Sequence, residues 1–349
     1  MLNFSFVREL KQNILKSLAL VVIFGIATVA LGGCVVKKNS TQSTAAVQPI
    51  TQTVRTAYVP LTANLPLFVA LEQGIFKQNG LNVEASEAAS PNDIVAALVS
   101  DKIDFAPVLA YTIIFPSGIQ YPNTFKLFSS SEETEISYTA SIIAKKDSPI
   151  NSYEDLRGKK IGVYGGLVQV NFLKAILTGM KIDLKEVEII EINPKLQIQG
   201  LLAGEYDALS TTEPTSNIAL LGGNAKLVSD NPRVKYIMSP FPSTAAALST
   251  KFINENKTAA RAVVRSLNQA IDFINNNPTE AKKAMLKYTP IPAESADKVL
   301  ADLKLFHYAK LGEENRAQVQ KFADYLYENK LLKTKLEVNS LFGDGLLDL

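Results

Sequence analysis

The strongest constraint on the fold of this 349-residue chain is a strand–helix order that occurs twice. In the first copy Val54 to Val59 predicts a strand. Pro66 to Gln73 predicts a helix, with proline in its first turn and Gly74 after its end. Leu81 to Ala85 predicts a second strand, Asn92 to Val99 a second helix, and Ile103 to Val108 a third strand. Such a βαβαβ unit implies a parallel sheet flanked by helices. In the second copy Ser152 is expected to cap a short helix that Gly158 ends. Lys160 to Tyr164, Val187 to Ile192 and Ala208 to Ser210 predict strands. Val168 to Leu177, ended by Gly179, and Lys195 to Leu202 predict the helices between them. The copies also match locally. Ala97 to Ala106 parallels Leu201 to Ala208, and each places an Asp at a strand start. Those residues, Asp104 and Asp207, read as structural turn residues.

From about Asn254 the pattern turns helical. Ala259 to Ile274 has apolar residues at helical spacing, and Pro278 opens a further helix. Ser295 to Tyr308 and Glu313 to Tyr327 predict two more. A helical block after two α/β units is expected to pack back on the first of them. From residue 54 onward about 295 residues are present, enough for two domains with real cores.

The N-terminal region has a separate logic. Arg8, Lys11 and Lys16 precede Ser17 to Leu31, about 15 residues without charge, which is a basic n-region followed by an h-region of signal-peptide length. A membrane span needs roughly 20 apolar residues. Leu31-Gly32-Gly33-Cys34 follows, and Cys34 is the only cysteine in the chain. These four residues resemble the lipobox of bacterial lipoproteins. The resemblance implies removal of residues 1–33 and lipidation of Cys34. More than one acyl chain then holds the protein stably to a membrane, by palmitate-type anchoring, with the remainder outside the cytoplasm, in the periplasm or at the cell surface. Residues 34–53, mostly Ser, Thr, Gln and Ala after Val35-Val36-Lys37-Lys38, read as a flexible tether. Without residues 1–33 the chain has 33 basic and 33 acidic residues. No basic patch stands out, which argues against a nucleic-acid partner. A lone cysteine allows no disulfide framework and no cysteine metal site.

Further motifs carry a family resemblance. Pro66-Leu67-Phe68-Val69-Ala70-Leu71-Glu72-Gln73-Gly74-Ile75-Phe76, followed by Gly80-Leu81-Asn82-Val83-Glu84, is similar to the opening of the periplasmic binding proteins for nitrate, sulfonates, taurine and thiamine-type pyrimidines. Asp147-Ser148-Pro149-Ile150 and Asp155-Leu156-Arg157-Gly158-Lys159-Lys160-Ile161-Gly162-Val163 match the start of that family's second lobe. Glu213-Pro214 falls where the family often has an acidic residue and proline. The match runs from about Val54 to Asn277. It implies an α/β, two-lobed, type II periplasmic binding protein. Each lobe is a βαβαβ-based sheet with flanking helices, and the C-terminal helices pack on lobe 1. Lobe 1 is expected over residues 54–135 and 245–349, and lobe 2 over 136–244, with hinges near Ser131 to Thr139 and Pro240 to Leu248. The lobes would close on a solute in the cleft. The implied role is a monomeric solute receptor that delivers a small organic nutrient to an ABC importer, with a permease and a separate ATPase subunit as partners.

Ligands in such sheets sit at the carboxyl ends of strands, over helix N-termini. That places Tyr58, Thr62 and Asn64, then Ser90 and Asn92, then Tyr111 as candidate lining of the first lobe. Gly165, Gly166 and Gln169 after the strand ending at Tyr164, and Glu213, are the candidates of the second. Tyr58, Tyr111 and Tyr164 offer an apolar face with a hydroxyl, or serve as half-buried packing. Gly165-Gly166 allows close backbone approach, or simply makes a tight turn. Anion-binding relatives commonly have Ser or Thr next. Here Leu167 and Val168 follow, which weakens nitrate or a sulfonate, although Ser90 and Asn92 keep an anion open. Glu213 favours a donor-rich group such as an amine or aminopyrimidine, or else complements its own helix dipole.

Catalysis has little support. The single His, His307, sits in the expected helical block between Phe306 and Tyr308. No His or Cys cluster offers a transition-metal site, no P-loop is present, and nothing calls for a cofactor. Pyrimidine-synthesising enzymes of the same fold rely on His and Cys residues that are missing here. The alternatives are such an enzyme, or a lipoprotein that senses or scaffolds.

Overall fold

The structure, a computed structural model, describes residues 52–164 and 166–345. The leader, Cys34, the tether as far as residue 51 and Gly165 lie outside the described residues, while Gln52 and Thr53, expected in the tether, belong to the first strand. The described strands are β1 (Gln52–Tyr58), β2 (Leu81–Glu87), β3 (Phe105–Ala110), β4 (Phe125–Glu133), β5 (Ala140–Lys145), β6 (Lys160–Tyr164), β7 (Glu188–Ile192), β8 (Ala208–Thr212), β9 (Ala225–Asp230), β10 (Phe241–Ser249) and β11 (His307–Ala309). They form a six-stranded sheet in the order β11-β4-β10-β3-β1-β2 and a five-stranded sheet in the order β7-β6-β8-β5-β9. The two βαβαβ units form one end of each sheet, with β2 and β7 as edge strands. Strand β1 pairs in parallel with β2 and β3, and β6 pairs in parallel with β7 and β8.

The paired aspartates are register pins. Asp104 accepts a hydrogen bond from the Arg55 N–H at 2.7 Å, and its own N–H donates to the Arg55 carbonyl at 2.9 Å. Asp207 does the same with Lys160, at 2.8 Å in each direction. In both sheets a carboxylate just before the third strand locks that strand's start to the central one.

The sheets are mixed rather than parallel throughout, and the chain path explains why. Strand β4 runs parallel to β3 and leaves the first sheet at its carboxyl edge. Strand β5 enters the second sheet antiparallel to β8, at the carboxyl edge again. The return path repeats this. β9 is antiparallel to β5, and β10 re-enters the first sheet antiparallel to β3. Both connections, residues 134–139 and 231–240, therefore join carboxyl edge to carboxyl edge. The cleft between two such sheets is bordered by strand ends and helix N-termini.

Helices cover the sheets. Lys257–Asn276 buries Ala260, Val263, Val264, Leu267, Ile271 and Ile274 at a spacing of three to four, against one face of the first sheet. Arg316–Glu328 covers the other face through Val319, Phe322, Ala323 and Leu326. The C-terminal block thus packs on the first lobe, as expected. Among the described residues no helix is long and apolar enough to cross a membrane.

Two local expectations are corrected. The helix expected over Ser295 to Tyr308 stops at Asp302, and His307–Ala309 forms β11, antiparallel to β4. The ring of Tyr308 is buried and its hydroxyl donates to the Thr62 carbonyl at 3.0 Å. Extended backbone there gives β4 a neighbour, and that outweighs the helical pattern. Ser152 does not cap a helix. Asp155 reaches back instead, accepting from the N–H groups of Asn151 and Ser152 at 2.8 and 3.0 Å, ahead of a 3-10 turn at Glu154–Leu156.

The apolar core also bridges the lobes. Phe172 and Ala175, on helix Leu167–Gly179 beside the second sheet, pack with Phe115, Phe241 and Phe322 of the first. Phe172 lies 5.8 Å from Phe241, which lies 4.8 Å from Phe322. Burying one such ring contributes roughly 1.5–3 kcal/mol.

Candidate functional site

At the rim of the first sheet most of the expected residues are engaged. Tyr58 ends β1 half-buried. Its ring meets Phe68 at 5.3 Å and Tyr288 at 5.9 Å, both edge-on, and Phe68 stacks on Tyr288 at 4.6 Å. Burial, with Glu87 nearby, holds its phenol above the ordinary range. Thr62 and Asn64 form a buried 3-10 turn. The Asn64 amide donates to the Val59 carbonyl at 2.9 Å. The Asn64 Oδ1 and Thr62 Oγ1 are buried without a hydrogen-bond partner among the described residues. This turn borders a small cavity whose walls include Ser130, Thr244 and Tyr308.

Ser90 is the N-cap of helix Pro91–Val99. Its hydroxyl accepts from the Asp93 N–H at 3.3 Å and donates to the Asp93 carboxylate at 2.8 Å. Tyr111 is fully buried, its ring 5.4 Å from Phe115, in the core under the C-terminal helix. That burial removes it from the exposed lining. Asn92 is half-buried and faces the other lobe.

The rim of the second sheet is built differently. Tyr164 ends β6 buried, and its hydroxyl shares a hydrogen bond of 2.5 Å with Thr212 at the end of β8. Gly166 has φ +67°, a conformation that L side chains rarely adopt. A Cβ there would lie 2.9 Å from Asn92 Nδ2, so Gly166 and Asn92 meet across the lobes. Gln169, in the first turn of helix Leu167–Gly179, accepts from the Arg233 guanidinium at 3.4 Å.

Glu213 follows β8. Its N–H donates to the Thr139 carbonyl at 3.0 Å, and its side chain is nine-tenths buried. Burial pushes its carboxyl up to about 7. The Ser216 hydroxyl, the Asn217 N–H and Lys304 act in the opposite sense, and Asp302 adds to the rise. Oε2 has no partner among the described residues. Asn217 on the following helix donates to the Val299 carbonyl at 3.2 Å, so this rim abuts the C-terminal block of the first lobe. Both readings of Glu213 have a physical basis. The carboxyl complements its helix N-terminus, and one oxygen is left over.

A buried pair, Glu133 and Arg233, was missing from the expected site. Glu133 ends β4 with no exposed surface, and Arg233 is 3% exposed; they approach to 3.4 Å. Glu133 lies within the hinge expected from the sequence, and an acid there was the available signal. Its partner, about a hundred residues away, had none.

Comparison with known proteins gives a consistent picture. The family model described as NMT1/THI5 like matches residues 62–281. A candidate thiamine biosynthesis protein of Haemophilus influenzae is 24% identical, over 77% of this chain and 84% of its own. A 4-amino-5-hydroxymethyl-2-methylpyrimidine phosphate synthase of Saccharomyces cerevisiae is 22% identical, over 66% and 69%. A candidate aliphatic sulfonates-binding protein of Bacillus subtilis is 23% identical, over 79% and 82%. Among solved structures, the ligand-binding component of an ABC-type import system from Staphylococcus aureus superposes with TM-score 0.69 at 16% identity, covering 85% of this chain and 98% of that one. The alkanesulfonate-binding protein of Xanthomonas axonopodis pv. citri gives 0.69 at 17%, covering 84% and 98%. The nitrate-binding protein of Synechocystis PCC 6803 gives 0.68 at 15%, covering 86% and 88%. These likenesses establish the fold as that of the two-lobed, type II periplasmic binding proteins.

Proposed function

The chain belongs to the NMT1/THI5-like family, and from that premise we propose that it is an extracytoplasmic solute receptor of an ABC importer. The observation that carries this reading is the unpartnered Oε2 of Glu213, buried at the carboxyl edge of the second sheet where it meets the first lobe. A buried carboxylate oxygen without a donor is unfavourable. A solute amine or aminopyrimidine would supply that donor. Gly166 gives the backbone access, and Gln169 and Asn92 supply further polar contacts. Thr62 and Asn64, each with a spare buried oxygen, would receive other donors of the solute from the first lobe, and Tyr58 would border it. Lobe 1 is residues 54–135 with 241–349 and lobe 2 residues 136–240, the boundary expected at 245 moving back to 241 because β10 begins there in the first sheet.

Lipidation of Cys34 would tether the receptor, as a monomer, beside its permease; the lipobox-like run supports this. The names of the import-system, sulfonate-binding and nitrate-binding neighbours support the transport role. The yeast synthase name keeps an enzymatic reading in view. Against it, the chain has a single His, and His307 lies exposed on β11. Thermal-shift titration with an aminopyrimidine, an alkanesulfonate and nitrate tests the proposal. Stabilisation by the aminopyrimidine is expected. Stabilisation by the sulfonate alone would transfer recognition to backbone amides near Gly165-Gly166 and to Ser90, and no response to any solute would count against a receptor.

A further inference from the structure

We infer that Arg233 is a positioning residue that ties the solute-facing helix of the second lobe to both connections between the lobes. The inference rests on the receptor reading for its purpose, though not for its geometry. Arg233 sits in the short helix Pro232–Tyr236, on the second connection. One guanidinium nitrogen lies 3.4 Å from Glu133 Oε1 and 3.3 Å from the Ser243 hydroxyl of β10. The other lies 3.4 Å from Gln169 Oε1 on helix Leu167–Gly179. The plane rests on the ring of Phe172 in that helix, at 4.3 Å, and approaches Phe241 of β10 at 5.9 Å. Glu133 Oε1 also accepts from the N–H and hydroxyl of Thr139 at 2.9 and 2.8 Å and from the Ala140 N–H at 3.2 Å. One carboxylate oxygen therefore fixes the end of the first connection, and one guanidinium joins it to the second and to the helix that carries Gln169.

Only a planar fork reaches three directions at once; an ammonium is a point charge on a flexible stem. A charge this deep is tolerated because it is paired. The contacts are long, and Arg233 Nε and Glu133 Oε2 lack partners among the described residues. The junction thus holds a spare donor and a spare acceptor with which to re-pair as the lobes rotate, so the helix would move with the hinge.

The test needs no solute. In the full chain carrying Cys34→Ser, spin labels are placed at Lys77→Cys and Lys195→Cys, exposed on the two lobes, and the interlobe distance distribution is measured by double electron–electron resonance. Arg233→Met and Arg233→Lys should each broaden it, to roughly double its width. Gln169→Ala cuts only the hydrogen bond to the helix and leaves the stack on Phe172, and should broaden it to a smaller extent with the melting temperature unchanged. It decides the matter if the Arg233 variants do not fold. Broadening absent in folded Arg233 variants, or absent in Gln169→Ala, would overturn the inference and leave Arg233 a purely structural residue. Failure of the receptor reading would appear separately, as no response in the solute titrations.

Discussion

At their amino ends the two sheets repeat one device, Asp104 on Arg55 and Asp207 on Lys160, with the same strand order around it. At their carboxyl ends they diverge. The first rim uses much of its polarity internally. Ser90 caps a helix, the Asn64 amide ties down its own loop, and Tyr111 is core. The second rim presents a glycine, Gly166, in a conformation that L side chains rarely adopt and an unpartnered, deeply buried carboxylate oxygen at Glu213. A sheet's foot answers to register, which both copies need equally. A rim answers to what it meets, and here the first lobe serves as the firmer wall while the second holds the stronger unmet demand for a donor.

The comparison can be pressed hardest at the junction between the rims. Glu133→Ala leaves Arg233 buried and unpaired and should lower stability by roughly 3–5 kcal/mol in denaturant unfolding. A loss as small as that of a surface charge would show the junction to be open to water. Glu213→Gln should weaken solute binding about tenfold to a hundredfold by calorimetry, while Ser90→Ala leaves it unchanged. Equal losses would erase the distinction between the rims.

Glu213 also sets a pH dependence. Its carboxyl is raised from 4.5 to about 7, so across that window the folded chain holds a proton that the unfolded chain has released. Stability should fall as pH rises through it, by at most about 3 kcal/mol, and Glu213→Gln should flatten the slope. Binding of a cationic donor runs the other way and should weaken as pH drops below about 7. At the feet, Asp104→Ala and Asp207→Ala should each cost about 1–2 kcal/mol, and about equally. The smallest effect belongs to Ser90→Ala, about 1 kcal/mol from the lost cap.

The repeat was legible because its signals are local: apolar periodicity, proline at helix starts, glycine after helix ends. The expected strands Lys160–Tyr164 and Val187–Ile192 and the helix Pro66–Gln73 agree with the structure to within a residue. Strands β4, β5, β9 and β10 escaped the sequence reading because their pairing is set by two crossings between sheets, a nonlocal fact. Strand β11 was hidden under a helical pattern that pairing with β4 overrides. Among site residues, Tyr111 looked like rim and is core, because the residue that follows a strand's end, here the first of a helix, does not reveal what will cover it. Arg233 was silent for the same reason, since its partners Glu133, Gln169 and Ser243 come from three distant segments.

Recognition of solute at the second rim is the central claim. Native mass spectrometry of the gently purified protein and of Glu213→Gln addresses it whatever the identity of the solute. A small-molecule adduct on the unaltered protein, strongly depleted in Glu213→Gln, is the expected result. An adduct of equal occupancy on both would contradict recognition by Glu213.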